Sequence, residues 1–327
     1  MRIIRTVSEL PPSLHGGVIA LGNFDGLHLG HQAVIGEAVS VARANGLAAG
    51  VMTFEPHPRE FFRPNEAPFR LSPFRIKTRL IETMGVDYLY TQIFDRKFSE
   101  NTPENFVADV LAAGLHVSRV VVGFDYVFGH ERRGSVEFLR SLAPRYGYEV
   151  IAVSELKDGA GGLRYSSSNV RALLTAGRCA EAAQLLGRFW ELEGRVEHGD
   201  QRGRTLGFPT ANLPHRNYLH PAQGVYAVRA GIDRGAATVW HDGVANFGNR
   251  PTFDKKDLLL EVHLFDFNAD LYHRHLRVAL IDYIRPERKF DSLAALKAQL
   301  AIDCDTARKL LKQHHFSTEP APFISVK

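Results

Sequence analysis

A glycine-rich turn at residues 22–31, G-N-F-D-G-L-H-L-G-H, stands between two apolar segments with different periodicities. The apolar run 17–21 before it is typical of a buried strand. Residues 32–42 after it have apolar side chains at helical spacing, and this pattern ends at Asn45 and Gly46. A strand, a tight turn and a helix in this order form the repeating unit of a doubly wound parallel sheet. We therefore predict such a sheet for the amino-terminal half.

The same turn has groups that bind phosphate. Its glycines allow the backbone to approach a ligand, and the free N–H groups of the helix start favour an anion. His28 and His31 would share one face there and could donate hydrogen bonds or positive charge. Two alternatives stay open. The pair could be ordinary residues of a helix start, or two ligands of a zinc site for which no cysteine or third histidine lies nearby in the sequence.

Composition limits the classes of protein. The chain has 327 residues, enough for two domains, with 45% hydrophobic and 23% charged residues. Its net charge of +4, from 40 basic and 36 acidic residues, is too small an excess to predict a nucleic-acid partner. The two cysteines, Cys179 and Cys304, predict neither a disulfide framework nor a cysteine-rich metal site. Without a signal peptide or a membrane-length apolar run, we expect a cytoplasmic location and no membrane partner, and homo-oligomerisation stays open.

Strand and helix patterns continue to alternate up to residue 186. Because ligands bind at the carboxyl ends of parallel strands, Asp125, which follows the apolar run 120–123, is placed at a ligand edge. Ser167 and Ser168 begin a predicted helix, and Arg171 lies one turn further on, so the three could hold an anion. Capping of the helix by the serines alone explains the same pattern.

The pattern changes from residue 189 on. Short strands at 190–196, 224–230, 237–244, 258–267 and 275–284 predict an antiparallel barrel or sandwich. A helix at about 292–311 closes this domain, and the residues from about 314 are expected to form a loose tail. We place the boundary at Gly187, which gives domains 1–186 and 187–327.

Three clusters in the second half are candidates for chemistry. Residues 203–212 form a predicted glycine-rich loop, in which oxygens of Thr210 and Asn212 could hold Mg²⁺. Residues 244–253 are expected to form an irregular loop, a candidate lid. Alternation in the strand around Glu261 places its carboxylate on one face with aromatic side chains, where it could be a general base. A capped turn and a solvated strand face explain the same clusters without function.

These segments resemble motifs of one family. Residues 22–31 are similar to the G-x-F-D-G-x-H-x-G-H signature of the prokaryotic bifunctional riboflavin kinase/FAD synthetases, and residues 166–171 to its S-S-T-x-I-R motif. Residues 203–212, 248–253 and 261–267 resemble the G-R-x-L-G-F-P-T-A-N, G-x-R-P-T-F and E-x-H-L-x-D-F motifs of its kinase half. The resemblance covers about residues 16–311. It implies a Rossmann-like nucleotidyltransferase domain followed by a six-stranded barrel with a carboxy-terminal helix.

The resemblance also implies substrates and roles. The barrel would phosphorylate riboflavin to FMN with ATP, and the amino-terminal domain would transfer an adenylyl group from ATP to FMN, giving FAD. Adenylyl transfer would depend on His28, His31 and Arg171. The implied nucleotide and flavin contacts of the first domain are Gly22, Phe24, Asp25, Gly26, Gly30, Asp125, Ser167 and Ser168.

In the kinase half the resemblance makes Glu261 the base for the riboflavin 5′-hydroxyl and Thr210 and Asn212 the ligands of ATP-bound Mg²⁺. Further implied contacts are Gly203, Arg204, Gly207, Pro209, Asn212 and Arg250. His273 stands where the family usually has glycine, so the turn must differ here if that glycine needs a positive φ. A flavin-binding regulator and a nucleotidyltransferase for another acceptor remain as alternatives, although the first does not explain Glu261 and the second does not explain residues 209–212.

Overall fold

The computed structural model describes residues 1–157, 162–198, 207–215, 218–249 and 258–315. The chain forms two compact units. Of the described residues, the first contains Met1–Ala67 and Phe74–Ser166, and the second contains Pro68–Pro73 and the described chain from Ser167 to residue 315. The units meet in sequence at Ser166, and the predicted domain limits, 1–186 and 187–327, stay a prediction. In the described part of the chain, no helix is both long and apolar enough to cross a membrane.

A six-stranded parallel sheet forms the centre of the first unit, which confirms the predicted class. The strands are β1 (Arg2–Ile4), β2 (Val18–Leu21), β3 (Ala49–Glu55), β4 (Tyr88–Ile93), β5 (Arg119–Gly123) and β6 (Glu149–Val153). Their spatial order is β1-β4-β3-β2-β5-β6. From β2 the chain proceeds to β3 and β4 on one side and later to β5 and β6 on the other. The order therefore reverses between β2 and β5, and the turn after β2 lies at this switch point, where doubly wound sheets bind ligands.

Helices separate these strands in sequence. They are α1 (Leu29–Ala44), α2 (Pro58–Phe62), α3 (Phe74–Glu82), α4 (Arg96–Ser99), α5 (Pro103–Asn105) and α6 (Val136–Tyr146). A π-helix, Phe106–Ala112, continues α5, and 3-10 turns occur at Val7–Glu9, Pro12–Leu14 and His130–Arg132. Thr102 caps α5, because its Oγ1 accepts a hydrogen bond from Asn105 N at 3.1 Å. The central strands are apolar on both faces, and all four residues of β2 are buried, as expected for a sheet covered by helices.

The second unit is built on an antiparallel sheet. Its strands are β7 (Trp190–Arg195), β8 (Ala211–Pro214), β9 (Gly224–Ile232), β10 (His241–Asn249), β11 (Leu258–Leu264) and β12 (His275–Arg285). Their order is β7-β12-β9-β10-β11-β8. A bridge between Glu197 and Asn212, with a hydrogen bond of 2.9 Å from Glu197 N to Asn212 O, joins the chain just after β7 to β8. This bridge brings the two edges of the sheet together and forms the predicted barrel.

Two predictions for this unit are wrong at the level of single elements. Residues 211–212, the end of the predicted glycine-rich loop, belong to β8, and residues 244–249 of the predicted irregular loop form the second half of β10. Both segments contain Asn, Gly or Pro, which are depleted in strands. Main-chain pairing with β11 on either side overrides that preference.

Three helices complete the second unit: α7 (Ser167–Thr175), α8 (Cys179–Leu186) and α9 (Leu293–Gln313). The predicted closing helix is confirmed as α9, whose Cys304, Ala307 and Leu311 pack in one hydrophobic cluster with Ala227 and Ile281 of the barrel. The predicted tail falls mostly on residues 316–327, outside the described residues.

His273 adopts the backbone conformation that favours glycine. Its φ is +61°, in the left-handed region, and its N–H donates to Val196 O at 3.0 Å. Histidine is therefore accommodated at a positive φ in this turn, and a difference from the turn of the family stays a prediction. A non-glycine residue in this region is strained by about 1–2 kcal/mol.

Candidate active sites

The turn between β2 and α1 is held in an unusual backbone conformation. Phe24, Gly26 and Leu27 have φ of +49°, +82° and +43°, and the Phe24 and Leu27 side chains are buried. Two non-glycine residues in the left-handed region within four positions are costly, and such conformations cluster at ligand sites. A Cβ on Gly22 would lie 2.9 Å from the Phe24 ring, so only glycine permits this packing. The structure thus gives a physical reason for the phenylalanine and both glycines in this turn.

The two histidines of the turn lie together at the helix start. Their rings stack with centroids 3.6 Å apart, and His28 caps α1 by accepting a hydrogen bond from His31 N at 3.3 Å. A Cβ on Gly30 would lie 3.2 Å from the His28 ring, which explains the glycine. His28 is buried and His31 half-buried. His28 both caps α1 and lies at the positive end of this 16-residue helix. The same side chain can therefore stabilise the helix start and bind phosphate.

A buried lysine is linked to this turn through Thr53, and the sequence patterns did not point to it. Lys77 of α3 is fully buried, and its Nζ donates to Thr53 Oγ1 at 3.3 Å and lies 3.5 Å from Glu55 Oε1. Thr53 Oγ1 in turn donates to Asn23 O at 3.1 Å. The sequence does contain an indication of this burial, because Lys77 shares the apolar face of α3 with Leu80.

Asp125 follows β5 at the same sheet edge and is exposed. Its carboxylate is paired with the Arg164 guanidinium, which also lies 5.0 Å from the Phe124 ring centroid and 3.3 Å from Glu155 Oε1. A charged side chain is therefore present at the predicted position, and it is engaged by a cation.

An aromatic cavity of about 400 Å³ also lies at this edge. Its walls come from three segments that follow the carboxyl ends of β3, β4 and β5, and Phe62 is a large apolar side chain with 63% exposure. The lining residues are Phe61, Phe62, Arg96, Ser99, Glu100, His130 and Glu131. Sequence analysis did not identify this cavity, because its walls are distant in sequence and lack a common motif.

Ser167, Ser168 and Arg171 belong to α7 in the second unit. The two serines are the first residues of the helix; Ser167 is half-buried and Ser168 is exposed. Arg171 Nε donates to Phe69 O at 2.8 Å, and its guanidinium lies 5.2 Å from the Phe69 ring centroid. These contacts fix the stem of Arg171 beside the helix start.

In the barrel, Glu261 is flanked by two amides. Its direct partner on β8 is Asn212 and its direct partner on β10 is Asn246, so the three side chains share one face of the sheet. Asn246 Nδ2 donates to Glu287 Oε1 at 2.9 Å, and a Cβ on Gly248 would clash with that carboxylate. Asn246 and Glu287 were not singled out, because their closeness to Glu261 depends on strand register.

Thr210 and Asn212 line a cavity of about 450 Å³ at one end of the barrel. Asn212 is buried, with 6% exposure, and Thr210 is half-buried. Pro209 is on the same wall, and its carbonyl lies 2.9 Å from His263 Nδ1. Residues 267–272 form the opposite wall. The structure thus brings Thr210, Asn212 and Glu261 into one neighbourhood, and their roles stay predictions.

Of the remaining predicted contacts, only Gly207 lies in the described part of the loop before β8 or of the segment after β10. Gly207 is described, is exposed, and has φ +86°, as a glycine turn before β8 requires. Gly203, Arg204 and Arg250 lie outside the described residues.

Two family models match the chain. Residues 10–169 match the family described as FAD synthetase, and residues 186–311 match the family described as riboflavin kinase. A bifunctional riboflavin kinase/FMN adenylyltransferase of Escherichia coli (strain K12) is 42% identical over 310 residues, which are 94% of this chain and 97% of the relative. Its counterpart from Haemophilus influenzae is 37% identical over 308 residues, or 94% of this chain and 98% of the relative.

One solved structure shares the fold over nearly the full length. It comes from Streptococcus pneumoniae, is described as a macrolide-efflux protein, and has a TM-score of 0.81 and 34% identity. The match covers 94% of this chain and 98% of the other. With both family models and near-complete relatives in agreement, the chain belongs to the family of bifunctional riboflavin kinase/FMN adenylyltransferases.

Proposed function

We propose that the two activities of this chain reside in two separate sites, a riboflavin kinase site on the barrel and an FMN adenylyltransferase site at the edge of the parallel sheet. Riboflavin is phosphorylated to FMN by ATP, and FMN then receives an adenylyl group from a second ATP. The observation that carries this division is that the two family matches fall on two different strand systems. ATP and free flavins as substrates support a cytoplasmic location, and the absence of a nucleic-acid partner and the oligomeric state stay predictions.

In the kinase reaction Glu261 is the general base. It takes the proton from the riboflavin 5′-hydroxyl as that oxygen attacks the γ-phosphorus of ATP, and ADP leaves. Its direct strand partners, Asn212 and Asn246, are neutral amides and do not neutralise the negative charge that a base needs. The half-buried setting limits competing water.

Thr210 and Asn212 are the proposed ligands of Mg²⁺ bound to ATP. Their hydroxyl and amide oxygens are hard donors of the kind that Mg²⁺ accepts, and both line the 450 Å³ cavity. When bound, Mg²⁺ neutralises charge on the transferred phosphoryl group. The chain itself supplies a rigid strand for the Asn212 oxygen, since Asn212 is paired on both sides.

In the adenylyl transfer a phosphate oxygen of FMN attacks the α-phosphorus of ATP, and pyrophosphate leaves. His28 and His31 bind phosphate oxygens at the positive end of α1 and stabilise the charge that develops there. Ser167, Ser168 and Arg171 of α7, in the second unit, are further proposed phosphate-binding residues. Asp125, with Gly22, Phe24, Asp25, Gly26 and Gly30, shapes the nucleotide and flavin contacts around the turn.

The aromatic cavity is the proposed seat of the isoalloxazine ring of FMN. It lies at the carboxyl edge of the same sheet, and the Phe61 and Phe62 rings offer faces for stacking a flat heteroaromatic group. A volume of about 400 Å³ is within the range of small-molecule sites.

The direct test of both activities is one incubation of the full chain with riboflavin, ATP and MgCl₂, followed by chromatographic separation of the flavins. FMN should appear first and FAD later. Accumulation of FMN alone would contradict the adenylyltransferase assignment, and riboflavin that stays unconsumed would contradict the kinase assignment.

A further inference from the structure

Three metal-ligating side chains from three neighbouring strands meet on the barrel, apart from the residues assigned to catalysis. They are Glu193 of β7, His275 at the start of β12, and Asp233, which follows β9. Their ligand atoms all lie within 4.8 Å of one another, and His275 Nε2 is 3.7 Å from Glu193 Oε1.

Strand register explains why the three side chains converge. His275 is the register partner of Arg195, so Glu193, two residues earlier on β7, is its diagonal neighbour on the same face. The β9–β12 pairing runs to Ile232, and Asp233 N then donates to His275 O at 2.8 Å. The cluster is therefore built on paired backbone and not on loops that happen to approach each other.

The distances fit one ion. A metal held 2.0–2.2 Å from nitrogen and oxygen ligands separates those ligands by about 3–4.4 Å. The 3.7 Å between His275 Nε2 and Glu193 Oε1 is too long for a hydrogen bond and suits two ligands of one cation. The His275–Glu193 pair therefore has the separation of two ligands on one ion, and all three ligand atoms lie within 4.8 Å of one another.

The imidazole nitrogen itself calls for a ligand. His275 Nε2 is buried and makes no hydrogen bond within the described residues, although it faces the carboxylate of Glu193, whose side chain is only 5% exposed. A buried polar atom without a partner is unfavourable by about 1–3 kcal/mol. A bound cation would satisfy the nitrogen and also compensate the charge of two carboxylates.

Neighbouring contacts order the cluster. The next charged residue on this face of β12, Arg277, forms a buried two-point pair with Glu191 at 2.9 and 3.0 Å, so its cation is already engaged. Asp233 Oδ1 accepts from Gly235 N at 3.1 Å, which fixes the direction of that carboxylate.

We propose that Glu193, Asp233 and His275 bind a divalent transition-metal ion, with Zn²⁺ as the reference ion. One imidazole with two carboxylates favours such ions over Mg²⁺, whose preferred ligands are oxygens alone. The site is distinct from Thr210 and Asn212. It lies where β12 begins, directly after residues 267–272 of the cavity wall, so the bound ion fastens the end of that wall to β7 and β9.

The test uses the full chain, stripped with a chelator and kept in excess MgCl₂ so that the Mg²⁺ site is saturated. Titration with ZnCl₂ by calorimetry should show one equivalent bound by the unchanged protein. In H275Q and E193Q the affinity of that equivalent should fall by about tenfold or more. H15Q, which changes an exposed histidine of the first unit, should bind like the unchanged protein.

A second readout does not depend on heat. Co²⁺ in place of Zn²⁺ should give visible absorption in the unchanged protein and in H15Q, and not in H275Q. Should H275Q fail to fold, Asp233→Asn retains the oxygen that accepts from Gly235 N–H and removes only the ligand charge. The proposal is overturned if the unchanged protein binds no Zn²⁺ or Co²⁺, or if the folded variants bind both ions as tightly as H15Q does.

Discussion

Asn212 and Glu261 lie directly opposite each other on β8 and β11, and the Asn212 carbonyl also accepts the bond from Glu197 N that closes the barrel. One strand pair therefore positions both the proposed base and a proposed Mg²⁺ ligand. Because main-chain pairing sets the separation of these two residues, we expect the proposed kinase site to be oriented by the fold and not by loop closure. Such preorganisation is the main source of rate enhancement in phosphoryl transfer.

Replacing the proposed base tests the kinase site. Glu261→Gln keeps the shape of the side chain and removes its basicity, so riboflavin phosphorylation should slow by about 10²–10⁴-fold. Formation of FAD from supplied FMN should be unchanged. Rates are measured by chromatography of flavins, with D305N, at an exposed acid of α9, as the matched control. A kinase rate in E261Q equal to that of D305N would exclude Glu261 as the base.

Replacing both histidines tests the adenylyltransferase site. In the double variant His28→Asn, His31→Asn, the asparagine at position 28 can still cap α1, so loss of activity does not follow from loss of the cap. FAD formation should fall by about 10²–10³-fold, while FMN still accumulates from riboflavin. H15N is the control for an exposed histidine of the same unit. Normal FAD formation in the double variant would remove these imidazoles from the reaction.

Replacing Phe62 tests whether the aromatic cavity binds FMN and not ATP. Phe62→Ala removes a stacking face, so the KM for FMN should rise by about tenfold, in line with 1–3 kcal/mol per stacked ring, while the KM for ATP stays the same. Phe62→Tyr should retain most of the affinity. Steady-state kinetics with each substrate varied in turn will show this. An equal rise in both KM values would indicate a general distortion of the sheet edge and not a flavin seat.

His273 gives a prediction about stability. Because its φ is +61°, His273→Gly should relieve strain and raise the free energy of unfolding by about 1 kcal/mol. Arg274→Gly, at the next position and without a positive φ, should lower it instead. Chemical denaturation of both variants measures the difference. If glycine at 273 destabilises as much as at 274, the left-handed conformation is not a source of strain.

Sequence patterns predicted the parallel sheet well and the barrel less completely. The strands of the first unit are short apolar runs, such as 18–21, whose burial on both faces leaves a clear signal. The second half of β10 and all of β8 carry Asn, Gly or Pro, and only pairing with β11 makes them strands. Local preference therefore placed residues 211–212 and 244–249 in loops.

The candidate sites divide in the same way. Motifs pointed to His28, His31, Thr210 and Glu261, because each lies in a short distinctive segment. Lys77 and Asn246 were not found from the sequence. A lysine on a helix is normally exposed, and the place of Asn246 beside Glu261 follows from strand register, which is a long-range property.

His215 makes a pH-dependent contribution to stability. Burial lowers the pKa of this imidazole to about 4, against 6.5 for an ordinary histidine, although its Nε2 lies 2.9 Å from Leu219 O. Between pH 4 and pH 6.5, His215 is therefore protonated in the unfolded chain and neutral in the folded chain. Stability from this residue is fully present above pH 6.5 and is lost as pH falls toward 4, by up to about 3 kcal/mol.

The measurement is denaturation at several pH values between 4 and 7. His215→Gln, which can still donate to Leu219 O, should show a shallower loss of stability across this window than the unchanged protein. His15→Gln, at an exposed position, should not change the slope. Equal slopes in all three proteins would mean that another group controls acid unfolding.

The central claim is that two independent sites on one chain carry out consecutive reactions. It is tested most directly by mixing the E261Q protein with the His28→Asn, His31→Asn protein in riboflavin, ATP and MgCl₂ and measuring FAD by chromatography. Neither variant alone should make FAD from riboflavin, since E261Q stops at riboflavin and the double histidine variant stops at FMN. The mixture should make FAD, because FMN released by the double histidine variant is adenylylated by E261Q. If the mixture of the two folded proteins makes no FAD, or if either variant alone makes it at the normal rate, the assignment of the two reactions to these two sites is wrong.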